Sequence, residues 1–85
     1  MNGTCYLCGK RGYIHVHHVY GGSYRKTADL LGLTVDLCPK CHEFIHSGNG
    51  TETRRQLQHD AQKAYMEKMD WNVNQWINIF GKSWL

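Results

Sequence analysis

Apolar residues recur with a helical period in the last third of the chain. The spacing predicts a helix over about 53–69, with Thr51 or Thr53 as its N-cap. After a break near Asp70, a second helix is predicted. Its core face repeats at positions i, i+3, i+4 and i+7 and is formed by Val73, Trp76, Ile77 and Phe80. Gly81 suits the position that follows a helix C-terminus.

The first fifty residues have a different pattern. Segment 12–20 is rich in β-branched and aromatic residues and alternates with a period near two, which predicts a strand or the arms of a hairpin. A loop with a helical turn near Thr27–Leu31 follows, and Leu33–Leu37 is typical of a second short strand. Pro39 suits the first turn of a helix that ends near His46. Strands and helices together predict an α+β protein.

Length and composition limit the class of protein. The 85 residues, 41 % hydrophobic and 20 % charged, predict one globular domain over 1–85. No run approaches the ~20 apolar residues of a membrane span, and no secretory leader is recognisable, so we expect a cytoplasmic protein without a membrane partner. The net charge of +3 mildly favours anionic partners. Four Cys and six His are many for such a chain, and small domains often need a metal or disulfides.

The four cysteines form two Cys-x-x-Cys pairs, Cys5 with Cys8 and Cys38 with Cys41. Four thiolates from two tight turns suit tetrahedral Zn²⁺ and leave no open coordination position, which predicts a structural zinc. Disulfides would need an oxidising compartment, and a thioredoxin-like redox pair would need a βαβ pattern, so both alternatives are less favoured.

The histidines form a second candidate set. His42 and His46 are spaced i, i+4 on the predicted helix and share a face. His17 and His18 are adjacent on the predicted strand and should point to opposite faces. Three imidazoles, His17, His42 and His46, could hold a divalent ion with open positions, as catalysis requires. His18 is then a free imidazole and a candidate general base. For His15 we favour a structural or supporting role.

Three stretches of the chain form one motif: His17-His18-Val19, then Leu37-Cys38-Pro39-Lys40-Cys41-His42, and finally His46. With this motif the chain resembles the HNH, or ββα-metal, nuclease superfamily and its small phage and prophage members. The resemblance implies a zinc-clamped hairpin-plus-helix core over 1–50, with a helical C-terminal extension packed on it over 51–85. It also implies a metal-dependent endonuclease of a bacterial or phage-infected cell. In that enzyme His18 is the general base and the His-bound ion stabilises the leaving group.

One feature departs from the family pattern. The middle Asn of the family is absent from residues 32–36, where Thr34 or Asp36 could take its place. The alternative is therefore a non-catalytic, zinc-containing module that binds nucleic acid. A protein-interaction module in which zinc is purely architectural is a third hypothesis.

The resemblance implies DNA as the partner, with RNA as an alternative, and Mg²⁺, Mn²⁺, Ni²⁺ or Zn²⁺ as the catalytic ion. A homodimer or a larger phage or recombination complex stays open. Candidate phosphate contacts are Arg25, Lys26, Lys10 and Arg11, then Arg54 and Arg55. Tyr20 and Tyr24 are candidates for packing against a sugar. The aromatic residues of the last part are interpreted as core rather than as a base-stacking platform; they are Tyr65, Trp71, Trp76, Phe80 and Trp84.

Overall fold

The chain begins with a small hairpin that carries the first cysteine pair. In the computed structural model, which describes every residue of the chain, strands β1 (Asn2–Thr4) and β2 (Arg11–Tyr13) pair antiparallel. The Cys5 N–H donates to the Lys10 carbonyl at 2.9 Å and closes the connecting turn. Gly9 has a φ of 75°, a left-handed conformation that favours glycine.

A second antiparallel sheet follows, formed by β3 (His15–His18) and β4 (Thr34–Leu37). The predicted run over 12–20 is therefore divided between two sheets rather than forming one strand or one hairpin. The division falls at Ile14, which is 3 % exposed and whose N–H donates to the Met1 carbonyl. The chain passes from the first sheet into the second at this buried residue.

The long connection between β3 and β4 contains a single turn of 3₁₀ helix at Gly22–Tyr24 and then α1 (Arg25–Leu30). The sequence predicted a helical turn here, and the structure extends it toward the N-terminus. Ala28 of α1 is fully buried, so the connection packs onto the molecule instead of projecting from it.

Helix α2 (Pro39–His46) begins and ends as predicted. Pro39 occupies the first turn, where its missing N–H leaves no helical bond unmade. Cys38 is the N-cap, and its Sγ accepts a hydrogen bond from the Cys41 N–H at 3.5 Å. The helix stops at Ser47, which has extended backbone angles.

Two further helices make up the C-terminal part, α3 (Thr51–Met69) and α4 (Val73–Phe80). Gly50, rather than a threonine, is the N-cap of α3, so that prediction was wrong by one residue. Val73 and Ile77 are 38 % and 37 % exposed, so only the other half of the predicted core face of α4 is buried.

The main core lies where α3, α4 and the C-terminal tail meet the β3–β4 connection. Trp76 and Phe80 are stacked with ring centroids 4.3 Å apart, and the fully buried Tyr20 packs beside them. Gln62 is also fully buried, and its side chain accepts from the Trp84 N–H at 2.7 Å, which fastens the tail to α3. The interpretation of these aromatic residues as core is supported. No helix combines the length and apolar character needed to cross a membrane.

The contact between the end of α2 and the start of α3 depends on Gly50. A Cβ built on Gly50 would lie 2.0 Å from the Phe44 carbonyl oxygen and 2.8 Å from the Ile45 Cα. We predict that Gly50→Ala lowers the free energy of unfolding by about 3 kcal/mol, because backbone atoms must move apart. Urea denaturation followed by circular dichroism measures this. Gly48→Ala is the matched control, since its Cβ meets nothing within 4 Å. Equal stability of the two variants would contradict the prediction.

Candidate metal centres

Four cysteine side chains converge where the first hairpin meets the start of α2. The Sγ atoms of Cys5, Cys8, Cys38 and Cys41 lie within 4.8 Å of one another, and all four cysteines are free thiols. The Cys8 and Cys38 sulfurs are 3.8 Å apart. Four sulfurs about 2.3 Å from one zinc ion at tetrahedral corners would be about 3.8 Å apart. The cluster is therefore placed to hold a metal ion, and zinc fits it.

Ionisation of the cluster favours the same interpretation. Burial opposes ionisation of the Cys5 thiol, but hydrogen bonds from the backbone of Cys38, Cys8 and Leu7 outweigh it and lower its pKa to about 6. Burial, together with the neighbouring sulfurs, raises the pKa of Cys41 to about 12. Four thiolates this close repel one another, so a bound cation is what would allow all of them to ionise.

The second cluster consists of three imidazoles between β3 and α2. One ring nitrogen from each of His17, His42 and His46 lies within 4.8 Å of the others. The rings form a nearly regular triangle, with centroids 5.3 Å apart for the two pairs that include His17 and 4.9 Å for His42 with His46. The alternation of β3 and the i, i+4 spacing of α2 place them together, as the sequence predicts.

His17 is the buried corner of this triangle. The residue is 5 % exposed, and its Nε2 has no hydrogen-bond partner. Buried polar atoms are normally paired, so an unpartnered nitrogen beside two further imidazoles fits the role of a metal ligand. Burial, followed by the positive charge of His42 and His46 when protonated, lowers the pKa of His17 to about 4. The imidazole is consequently neutral at physiological pH, the form that binds a metal.

His15 supports the triad from outside it. Its Nδ1 lies 3.0 Å from the Nδ1 of His42, a hydrogen bond in which one ring donates and the other accepts. Such a bond fixes the orientation of a ligating imidazole. The supporting role expected for His15 agrees with this contact. Burial, and then the neighbouring His46 and His15, lower the pKa of His42.

His18 lies outside the triad but lines the same cavity, and it meets a residue on α1 that the sequence pattern does not reveal. Its Nε2 lies 3.2 Å from the Asp29 Oδ1. An ionised carboxylate only accepts, so in the neutral imidazole the Nε2 is the protonated nitrogen and the Nδ1 has the lone pair. Asp29 lies on α1, and no spacing rule connects it to His18. The expected substitutes for the family's Asn make no side-chain hydrogen bond, although Thr34 is the cross-strand partner of His18.

Two polar cavities meet at His18. One, of about 300 Å³, includes all three triad histidines, His18 and Arg25 in its walls. The other, of about 520 Å³, is lined by His18, Arg25, Lys26 and Asp29, with Gly22 and Ser23. Arg25 and His18 thus border both cavities. A more apolar cavity of about 240 Å³ between β4 and α3 includes no histidine or cysteine and belongs to neither centre.

The other predicted phosphate contacts are distributed differently. Lys10 and Arg11 line a separate groove beside the second cysteine pair. Arg54 donates to the Ile45 carbonyl at 3.2 Å, so it caps the end of α2 instead of lining the cleft. Tyr20 is fully buried in the aromatic core, so its predicted packing against a sugar is wrong.

Comparison of the chain with protein-family models, curated proteins and solved structures finds no match in any of the three. Function is therefore inferred from the two clusters and the cavities beside them.

Metal content per chain tests both centres. We predict one tightly held zinc ion and a second divalent ion that binds when Co²⁺ or Zn²⁺ is added. His42→Ala should keep the first ion and lose the second, because only the triad is altered. Inductively coupled plasma mass spectrometry after gel filtration measures both. His59→Ala is the control, since His59 contacts only Asp60 in the hydrogen-bond network. A single ion that His42→Ala leaves unchanged would contradict the second site.

The buried His17 predicts a pH dependence of stability when only the cysteine site is loaded. Its pKa is about 4 in the folded chain and 6.5 for a free imidazole, so the unfolded chain binds more protons between these values. Stability from this residue is present above pH 6.5 and falls as the pH decreases. We expect a loss of about 1 kcal/mol between pH 7 and pH 5.5. Urea denaturation of His17→Gln should show a smaller loss, whereas His59→Gln should retain it in full.

Proposed function

We propose that the protein is a metal-dependent endonuclease of the HNH, or ββα-metal, type that hydrolyses phosphodiester bonds in DNA. One observation carries the proposal. The His17, His42 and His46 triad encloses a buried, unpartnered nitrogen, and the adjacent His18 borders the same cleft without belonging to the triad. A metal-ligand set with a free imidazole beside it is the donor arrangement that metal-assisted hydrolysis uses.

The arrangement of elements supports the likeness to the HNH family. Strands β3 and β4 form a hairpin, and α2 follows β4 directly and packs against both strands. A zinc ion held by the four cysteines would join this unit to the first hairpin. That role is structural, because four thiolates leave no position open for substrate.

The triad would hold the catalytic ion. A divalent ion bound there supplies Lewis-acid stabilisation of the negative charge that develops on the phosphate and leaving-group oxygens. Imidazole ligands suit Zn²⁺ and Ni²⁺, while Mg²⁺ and Mn²⁺ prefer oxygen ligands. We therefore propose a transition ion as the better fit.

His18 is proposed as the general base. Asp29 accepts a hydrogen bond from the Nε2–H, so the Nδ1 takes the proton of the attacking water. The water oxygen bonds to phosphorus as the bond from phosphorus to the 3′ oxygen breaks, which leaves a 5′-phosphate and, after protonation from solvent, a 3′-hydroxyl. Asp29 acts by orienting the ring and stabilising the imidazolium that forms.

Arg25 and Lys26 are proposed to hold the DNA backbone. Both line the cavity that continues from His18, and Arg25 also borders the triad cleft. Neither cation lies within salt-bridge distance of a carboxylate, so both are available to phosphate oxygens.

A specific observation also favours the non-catalytic alternative. The family's middle Asn is absent, and neither Thr34 nor Asp36 makes a side-chain hydrogen bond that replaces it. A module that binds DNA through the same basic cavity without cleaving it is therefore the second candidate function.

Plasmid nicking distinguishes the two candidates. We predict cleavage that requires an added divalent ion, and at least a ~100-fold lower rate for His18→Ala, because general-base catalysis contributes about 10²- to 10⁴-fold. Asp29→Asn should retain the metal content and lose part of the rate, with an altered pH profile. His59→Ala is the matched histidine control and should cleave at the parent rate.

The outcomes separate the hypotheses. Equal cleavage by the parent chain and His18→Ala would overturn the proposed base. Salt-sensitive DNA binding with no cleavage under any metal would establish the non-catalytic module. Absence of both binding and cleavage would leave an architectural, protein-binding role.

A further inference from the structure

The zinc-binding end of the molecule carries a groove that the proposed reaction does not use. It has a volume of about 400 Å³ and lies between the first hairpin and the start of α2. Its walls include Lys10, Arg11, Tyr13, Cys38 and Lys40. We call it the knuckle groove, because both of its walls end at the cysteine cluster.

Apart from Cys38, which belongs to the cysteine cluster, the charged side chains of the knuckle groove are all positive. Three of its lining residues are cationic and none is acidic. Neither salt bridge of the structure involves a lysine or arginine, so no carboxylate neutralises these side chains. Arg11 gives one hydrogen bond to the Thr4 Oγ1 at 3.3 Å, which leaves its other donors available. A polyanion is the partner that such a groove fits.

An exposed aromatic ring lies in the same groove. Tyr13 is 58 % exposed, although it is a large ring at the end of a strand. The His15 ring holds it in a perpendicular contact, with centroids 5.4 Å apart and an interplanar angle of 90°. His15 in turn contacts His42 at 5.2 Å. Tyr13 is thus linked to the triad residue His42 through the His15 ring, and more than half of its surface is open to solvent.

Proteins bind single-stranded nucleic acid through cationic side chains next to a solvent-exposed aromatic ring. Each unpaired base has a free face that can stack on a ring, while its phosphate meets a cation. Bases inside a duplex are already stacked on their neighbours, so they cannot use Tyr13 without unpairing. A stacked strand rises about 3.4 Å per nucleotide. The two ring contacts therefore place Tyr13 within about three nucleotides of the triad.

We infer that the knuckle groove binds an unpaired nucleobase and its phosphates, with Tyr13 as the stacking platform and Lys10 and Lys40 as phosphate contacts. The inference rests on the proposed function and deepens it. The preferred substrate is DNA with a single-stranded segment next to the bond that is cleaved, such as a flap, a gap or a frayed end.

Fluorescence anisotropy tests the inference apart from catalysis. The parent is the His18→Ala chain loaded with zinc at the cysteine site, without other divalent ions, so that the DNA stays intact. The probes are a labelled 12-nucleotide oligothymidylate and a blunt duplex of the same length. Tyr13→Ala should weaken binding of the single strand by about tenfold and change duplex binding less than twofold, because stacking on one base is lost.

Two further variants sharpen the result. Tyr13→Phe keeps the ring and should bind the single strand as the parent does. Tyr6→Ala is the matched control, since Tyr6 is also an exposed tyrosine, at 59 %, but does not line the knuckle groove. Lys40→Gln should reduce the slope of log affinity against log salt by about 0.7, the value for one phosphate contact on a single strand. Circular dichroism and zinc content confirm that each variant is folded.

The outcomes distinguish the groove from the nuclease. Equal single-strand affinities for Tyr13→Ala and Tyr6→Ala would overturn the inference, as would equal losses on both DNA forms. Selective loss in Tyr13→Ala, combined with no cleavage by the unmutated chain under any metal, would support the groove and reject the nuclease. Absence of single-strand binding by the parent would overturn the groove, and the nicking assay on the unmutated chain would decide the nuclease separately.

Discussion

The convergence of four sulfurs is the constraint on which the rest of the structure depends. Only 14 of the 85 residues are buried, so the apolar core alone has little area with which to hold the first hairpin. A metal ion held by the cysteine cluster would tie the turn of that hairpin to the first turn of α2, and Cys38 also caps the helix. The start of α2 would thereby be fixed relative to the sheets. Because His42 and His46 follow within the same helix, their positions against His17 depend on this junction.

The histidine triad opposes folding in its metal-free form. Three imidazoles within a few ångströms cannot all be protonated without repulsion, and the burial of His17 adds a desolvation cost. The structure resolves the conflict by keeping the buried ring neutral, which leaves the Nε2 of His17 as an unpaired polar atom. A divalent cation bound by the three ring nitrogens would relieve both costs. The aromatic core around Trp76, which includes none of these histidines, compensates for part of this cost.

Local spacing predicted the parts of the site that depend on one element or one turn. The two Cys-x-x-Cys pairs, the i, i+4 histidines of α2 and the alternation of His17 and His18 are set by backbone geometry, which the sequence expresses directly. The partners that come from distant elements could not be predicted. Asp29 reaches His18 only because the β3–β4 connection folds back as α1. Arg54 donates to the Ile45 carbonyl only because α3 begins directly after the close contact at Gly50. Val73 and Ile77 are likewise exposed because no other element covers that part of α4. The helical period of a sequence does not show which parts of a helix other elements will cover.

The division of roles between His17 and His18 follows from a single step along β3. One side chain enters the interior beside α2, where low polarity keeps it neutral, and the next faces a polar cavity and a carboxylate that is itself 70 % exposed. The β3–β4 connection supplies that second environment, since it contributes Arg25, Lys26 and Asp29 around the His18 ring. The end of the molecule that carries the cysteine cluster and this connection therefore contribute different things. The first sets the geometry of the ligands, and the second sets the charge and hydrogen bonding of the group that would move the proton. Changes in the connection should alter proton transfer and phosphate binding while the ligand triangle stays in place.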